Sequence, residues 1–277
     1  MWRGERVAFV PTMGALHEGH LSLIRGAKKR SNRVVVSIFV NPLQFGPNED
    51  YDAYPRNLSS DQKNVGDAGA DLLWTPSVSD LYAPSFNTFV EVGKIGKMWE
   101  GKARPGHFPG VATVVTKLLQ VVQPSFLYLG QKDYQQTRVI AQVVRDLCFD
   151  TTLRVMPTVR EPNGLAMSSR NQRLSPQEWQ SAAVLYKGLC QAKELVLRGE
   201  IRSEIILKKV TATIHLERSV QIDYVACCDP ETLLPVDELC HKAILIVAVK
   251  IGSVRLIDNI FLNQKKAMAT SSAKSSP

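Results

Sequence analysis

Two histidines, His17 and His20, stand three residues apart in the run Pro11–His20, PTMGALHEGH. A short apolar run, Val7–Val10, precedes it, and an amphipathic stretch, Leu21–Lys29, follows. Both imidazoles therefore fall at or beside the N-terminus of a first helix. Such a terminus presents unpaired N–H groups and partial positive charge, which suits phosphate. Gly14 and Gly19 lack a Cβ and let a ligand approach the backbone. Imidazoles donate N–H to phosphoryl oxygens and can carry positive charge near neutral pH. This is the chemistry of triphosphate binding without a Walker loop, since neither GxxxxGK(S/T) nor GxGxxG occurs in the chain. HExH is not the HExxH zinc motif. A zinc pair is geometrically possible at this spacing, but no third ligand stands nearby.

Four further segments offer polar groups in compatible ways. FVNPLQF (Phe39–Phe45) carries Asn41 and Gln44, and GQKDYQQ (Gly130–Gln136) carries Lys132, Asp133 and Gln136. MSSRN (Met167–Asn171) carries Ser168, Ser169 and Arg170, and RPGHFPG (Arg104–Gly110) precedes an apolar stretch. Taken singly, each has an ordinary reading: Gln44 satisfying loop backbone, Lys132 and Asp133 a solvated pair, Ser168–Arg170 a turn and cap. His107, His215 and His241 read as structural or surface residues, with His107 the exception nearest to function. Together the imidazoles, lysine, arginine and serines would stabilise a polyphosphate, increasingly so as a phosphorane-like transition state forms.

The elements that must position these groups alternate. Val7–Val10, Val34–Val40, Asp71–Trp74, Phe126–Leu129 and Leu153–Val159 read as strands. VVVSIFV is almost continuously apolar, as a parallel strand buried on both faces should be. Between them, helices are expected over His20–Ser31, from a capping box at Ser59 and Gln62 to Gly66–Gly69, over Gly110–Val122 and over Lys132–Leu147. This is an α/β pattern, a doubly wound Rossmann-like parallel sheet, expected over residues 1–158. In such sheets ligands sit beyond the C-terminal strand ends, so the pieces after Val10, Val40, Leu129 and Val159 should converge. The pattern then changes. Ser175-Pro176-Gln177-Glu178 opens a helix expected to reach Arg198 and stop at Gly199, and a second helix covers Ser203–Leu216. Strands follow at Val220–Ala226, Ala243–Val249 and Val254–Asn259, giving a smaller C-terminal α+β domain over 159–261. Residues 262–277 read as a disordered tail.

The bulk numbers narrow the class. A chain of 277 residues with 44% hydrophobic and 22% charged residues has the composition of a globular protein. No apolar run approaches the ~20 residues of a membrane span, and the start is too short for a signal peptide. A cytoplasmic location without membrane association is the expectation. The formal charge of +8 is scattered, with Lys28–Arg30 and Lys265–Lys266 the densest sets, so no nucleic-acid partner is expected. Five cysteines without CxxC spacing read as free thiols.

PTMGALHEGH, FVNPLQF, RPGHFPG, GQKDYQQ and MSSRN occur in the order and approximate spacing of one family. On them the chain, from about Arg6 to Asn259, resembles the pantoate–β-alanine ligases, within the HxGH nucleotidylyltransferase superfamily. HxGH alone is weak, whereas five segments in order are specific. The resemblance implies ATP-dependent condensation of pantoate with β-alanine through a pantoyl adenylate, releasing pyrophosphate and then AMP. It implies ATP contacts at Met13, Gly14, Ala15, Leu16, His17, Glu18, Gly19 and His20, at Gly130, Gln131, Lys132 and Asp133, at Val159 on the adenosine side, and at Met167, Ser168, Ser169 and Arg170. His20, His17, Lys132 and Arg170 are the implied catalytic set. The family assigns a proton donor at His20, yet carboxylate attack on ATP removes no proton, which favours transition-state charge stabilisation. Gln44, Gln136, Asn41 and Met13 are the implied pantoate contacts, Gln44 also meeting β-alanine. Mg²⁺ is implied with the triphosphate, held mostly by phosphate oxygens and water. Asp61 falls where some members place a magnesium ligand, although Ser60 and Asn64 depart from the acidic pattern there. Gln131 stands where many bacterial members have Glu, and the N-terminal segment before the first strand is shorter than usual. A homodimer is implied. Two alternatives stay open at this point: a nucleotidylyltransferase of the same superfamily, and a catalytically silent nucleotide- or RNA-binding protein.

Overall fold

Alternate residues of the first strand feed two different cores. Val7 and Phe9 pack with one set of helices, and Ala8 and Val10 with another. The period of two along a strand produces this division, and it requires a sheet covered on both faces. A computed structural model describes residues 4–47, 49–240 and 242–263 and contains that sheet. In chain order it has β1 (Val7–Thr12), α1 (Glu18–Lys28), β2 (Arg33–Ile38), α2 (Leu58–Asp67), β3 (Leu72–Trp74), α3 (Val78–Leu81), α4 (Glu100–Ala103), α5 (His107–Val122), β4 (Phe126–Gly130), α6 (Tyr134–Asp146) and β5 (Thr152–Met156). The strands run parallel in the order β3-β2-β1-β4-β5. The winding reverses at β1, so the loops after β1 and β4 open beside each other.

Helices α1 and α2 cover one face, burying Leu23, Ile24, Ala27 and Val65 on Ala8, Val10, Val34 and Val36. Helices α5 and α6 cover the other with Val111, Val115, Leu119, Val139 and Ile140. Fully buried side chains such as Phe9, Ile24 and Leu119 each contribute ~1.5–3 kcal/mol of hydrophobic stabilisation.

The remaining elements are α7 (Pro176–Ala182), α8 (Val184–Leu197), α9 (Ser203–Ile214), β6 (Val220–Cys228), β7 (Lys242–Ile251) and β8 (Val254–Asn263). The three strands form an antiparallel sheet ordered β6-β7-β8. One face packs on α8 and α9 through Leu245, Val247 and Val249. The other brings Ala226, Cys228, Ile244 and Ile246 against Met98, Trp99 and Tyr134. Polar bonds stitch this contact. Trp99 Nε1 donates to the Leu233 carbonyl and Tyr134 Oη to that of Pro230, both at 2.9 Å. Asn259 Nδ2 donates to the carbonyls of Gln131 and Lys132, also at 2.9 Å. The buried Glu100 carboxylate takes both Arg255 terminal nitrogens at 2.7 Å and the Tyr224 hydroxyl at 2.8 Å.

Several element boundaries differ from expectation for local reasons. The second helix is capped by Asn57, whose side chain accepts from Ser60 N–H, and opens at Leu58; Ser59 lies inside it. The capping box at Ser175 and Glu178 forms, with Pro176 in the first turn, but the helix breaks at Ala183 into α7 and α8. Residues Gln131–Asp133 form a 3-10 turn before α6. Strand β5 stops at Met156, ahead of Pro157. Strand β8 runs to Asn263, so Leu262 and Asn263 belong to the sheet; the rest of the expected tail, from 264, and His241 lie outside the described residues.

The segment after β2 is pressed against α5. A Cβ on Gly110 would lie 2.2 Å from the Leu43 carbonyl oxygen and 2.7 Å from the Gln44 Cα. Alanine at 110 gains at most ~1 kcal/mol of helix propensity. The clash with rigid backbone outweighs it by an expected ~1–3 kcal/mol. Urea unfolding of Gly110→Ala should therefore give a lower midpoint at unchanged slope; an unchanged or higher midpoint would contradict the close approach.

Candidate active site

The loop after β1 turns through two left-handed residues, Gly14 at φ 83° and Ala15 at φ 49°. Ala15 adopts this disfavoured conformation because both sides of the turn are tied. Asp61 on α2 accepts Ala15 N–H at Oδ2 and Leu16 N–H at Oδ1, each at 2.8 Å. Ser169, from beyond β5, donates its hydroxyl to the Ala15 carbonyl at 2.9 Å. Asp61, the residue expected at magnesium, thus holds this loop as well. Its side chain is buried, both oxygens already hold the loop, and no cluster of three or more His, Cys, Asp or Glu able to hold a metal occurs among the described residues.

With the turn fixed, His17 becomes the N-cap of α1. Its Nδ1 accepts Gly19 N–H at 3.1 Å, while His20 Nδ1 accepts His17 N–H at 3.3 Å. This is a capping box built from two imidazoles, whose ring centroids lie 4.1 Å apart. The consequence is a fixed protonation state. An Nδ1 that accepts from backbone cannot carry a proton, so each neutral ring keeps its proton on Nε2. Burial, then the charge on Lys132, lowers the His17 pKa from 6.5 to about 4. Burial and the neighbouring His17 lower His20 to about 3. The helix entry thus offers two neutral Nε2–H donors in place of bare backbone amides and a cationic imidazole.

Both rings line a cavity of about 220 Å³. Met13, Gly19, Asn41, Gln44, Gly130, Lys132, Asp133, Gln136, Val159, Met167 and Ser168–Arg170 line the same space. The strand-end segments therefore converge as expected. Lys132 Nζ lies 3.3 Å from Asp133, whose carboxyl is held below its usual range: burial would raise it, and Lys132 overcomes that. The Gln44 side chain is buried and donates Nε2–H to Met13 Sδ at 2.9 Å. The Gln136 side chain reaches the cavity and has no hydrogen bond to protein among the described residues. The Thr158 hydroxyl, on the same wall, is buried without a partner among the described residues and was not anticipated from sequence.

Other expected contacts are spent inside the protein. Gly14, Ala15 and Leu16 line neither this cavity nor its larger neighbour; their amides bond to Thr12 Oγ1 and Asp61. Glu18 is exposed, outside both cavities, and pairs with Arg25. Gln131 is turned to Asn259. Asn41 is fully engaged: Nδ2 donates to Gln44 Oε1 and the Gly110 carbonyl, both at 3.1 Å, while Oδ1 accepts from the Tyr82 hydroxyl at 2.8 Å. It orients Gln44 and has no group left for substrate. Arg170 is clamped by Asp50 through bonds of 2.8 and 3.0 Å.

A larger cavity of about 720 Å³ adjoins the first and shares Arg104, His107, Lys132, Asp133, Gln136, Ser168 and Arg170 with it. His107 sits at the junction with the opposite tautomer to the first pair. Its Nδ1–H donates to the Gln44 carbonyl at 2.9 Å, and Nε2 accepts from Arg104 at 3.1 Å. Burial, then the Arg104 charge, lowers its pKa to about 4.

A doubly wound parallel sheet thus carries an HxGH helix entry at its switch point, facing a lysine turn and an MSSRN loop. Residues 1–261 match the family described as pantoate-beta-alanine ligase. The chain belongs to the pantoate–β-alanine ligase family. It is 51% identical over 256 residues to a pantothenate synthetase of Thermotoga petrophila, covering 92% of this chain and 91% of the relative. It is 48% identical to one of Dehalococcoides mccartyi, with 92% and 96% covered. Among solved structures, pantothenate synthetase from Thermus thermophilus superposes with a TM-score of 0.90 at 47% identity, covering 92% of this chain and 93% of that one. A Francisella tularensis pantoate-beta-alanine ligase, complexed with beta-gamma ATP and beta-alanine, gives 0.77 at 38% identity, with 94% and 91% covered. None of these likenesses supports the sister nucleotidylyltransferase or the silent binding protein.

Two outcomes follow. Asp61→Asn leaves one acceptor oxygen for two N–H groups, so urea denaturation in metal-free buffer should lose ~1–3 kcal/mol; a loss seen only with magnesium present would return Asp61 to the metal. The three lowered imidazoles bind protons more readily unfolded than folded, so stability is full above pH 6.5 and falls as pH drops from 6.5 toward about 4 for His17 and His107 and about 3 for His20. Replacing His107 by Asn should flatten that slope in pH-resolved unfolding; an unchanged slope would contradict its buried neutral state.

Proposed function

We propose that this protein joins pantoate to β-alanine at the expense of ATP, in two steps within the joined cavities. In the first, a pantoate carboxylate oxygen forms a bond to the α-phosphorus of ATP as the bond to pyrophosphate breaks. In the second, the β-alanine amine forms the amide bond as the acyl–oxygen bond to AMP breaks, and the amine's proton passes to water. The observation that carries this reading is the meeting of two neutral imidazole donors and Lys132 with the Gln44–Gln136 pair in one cavity.

Each group has a role its geometry supports. The Nε2–H groups of His17 and His20, with Lys132, donate to phosphate oxygens whose charge grows in the first step. No proton need leave the carboxylate, so His20 acts as a donor and not as an acid. Gln44 and Gln136 can donate to the pantoate carboxylate and accept from its hydroxyls. Val159 and Met167 offer apolar contact to adenosine, and Ser168 and Arg170 serve the phosphates. Arg170 does so once Asp50 yields. Magnesium would arrive with the triphosphate, held mostly by phosphate oxygens and water. Residues 159–261 would cover the nucleotide as a separate domain. A homodimer is in keeping with the family resemblance; light scattering at twice the chain mass would bear it out. Five free cysteines suit a cytoplasmic location.

Incubation with ATP, Mg²⁺, D-pantoate and β-alanine should yield equimolar AMP and pantothenate; no turnover from folded protein overturns the reading. His20→Ala should slow pantoate-dependent ATP–pyrophosphate exchange by about 10²–10³, with native circular dichroism. The wild-type exchange rate should have no inflection near pH 6.5, the ordinary histidine value, because neither ring titrates there. A histidine-type inflection would assign His20 to proton transfer instead.

A further inference from the structure

The second substrate carries a carboxylate that must be recognised while its amine reaches the activated acyl group. This inference rests on the reaction proposed above. Most cations around the cavities are committed elsewhere. Lys132 stands beside His17 and Asp133, on the phosphate side. Arg170 and Arg173 share Asp50. Arg255 is locked on buried Glu100 and on Asp223, and Arg160 on buried Asp258.

Arg104 differs in position and in partner. It lines both cavities, so it stands where the wide one opens into the narrow one. Its Nη2 lies 3.4 Å from the Gln44 carbonyl, on the residue that would hold pantoate. Its guanidinium is planar and mostly buried, and it is filled by a carboxylate: Nε and Nη2 bond Glu49 at 2.7 and 2.6 Å. That two-pronged geometry is the one a substrate carboxylate would adopt. Glu49 lies in the loop that follows Gln44, outside any helix or strand, so moving it breaks no sheet or helix. His107, bonded to both Arg104 and the Gln44 carbonyl, fixes the fork relative to Gln44.

We propose that Arg104 is the specificity-determining residue for the amino-acid substrate, binding its carboxylate in the place that Glu49 occupies in the free protein. The amine then projects toward the acyl group held by Gln44 and Gln136. A three-carbon amino acid is favoured over an amine of equal length without the acid.

The test uses the full chain, with β-alanine and propylamine as competing acceptors and pantoate-dependent ATP–pyrophosphate exchange as the readout of the first step. Arg104→Met should raise the β-alanine KM at least about tenfold more than the pantoate KM. It should also reduce the preference for β-alanine over propylamine by a similar factor. If both KM values rise together and the preference survives, Arg104 only supports Gln44 and the assignment fails. Should Arg104→Met not fold, Glu49→Gln decides: removing the competing carboxylate should lower the β-alanine KM, and a value unchanged or raised overturns the proposal. Absence of exchange in the unsubstituted protein would instead overturn the reaction on which the proposal rests.

Discussion

Everything at the catalytic end of the sheet hangs on one buried carboxylate accepting two adjacent backbone amides. Asp61 meets Ala15 N–H and Leu16 N–H in a turn that bends through left-handed geometry at a residue with a side chain. Such a conformation persists only where its surroundings over-determine it. Ser169 completes the constraint from the other side by gripping the Ala15 carbonyl. The turn is thus held between a helix that follows β2 and a loop that follows β5. Its own sequence neighbours do little of the work. Only with this turn set does His17 land as an N-cap, and only then do the two imidazoles acquire fixed tautomers.

The same logic of indirect support recurs around Gln44. Asn41 orients its amide, Gly110 lets its backbone lie flat on α5, and His107 bonds its carbonyl. None of these three needs to touch a substrate to matter. They convert an irregular segment after β2 into a rigid arm. The antiparallel sheet adds a comparable brace at the lysine turn, where Asn259 gathers two successive carbonyls.

Much of this was legible in the chain itself, because the strands are continuous apolar runs and the motifs fall at their ends. VVVSIFV could hardly be anything but an interior strand, and Ser175 with Glu178 announced its helix start. What escaped was partner identity. An acid in the first turn of a helix, such as Asp61, reads equally as a dipole partner, a metal ligand or a clamp, and only its burial against another loop decides. Asn41 and Ser169 read as substrate contacts because their types suit substrate, yet their bonds go to protein. The break at Ala183 has no glycine or proline to mark it, and Asn57 outcompeted Ser59 as a cap at almost the same place. The tautomers of the three histidines depend on which backbone group each ring meets, a matter of fold and not of spacing.

The pairing of Asp50 with both Arg170 and Arg173 carries a thermodynamic corollary for the reaction proposed. A naked arginine would collect small ions from solution and release them when a nucleotide arrived, making affinity fall steeply with ionic strength. An arginine already neutralised by its own protein has no such atmosphere to shed. Nucleotide capture there, as proposed, would be an exchange of one anion for another, governed by the difference between two strong attractions. The gain is insensitivity to salt and discrimination against stray phosphate, at a sacrifice of raw tightness.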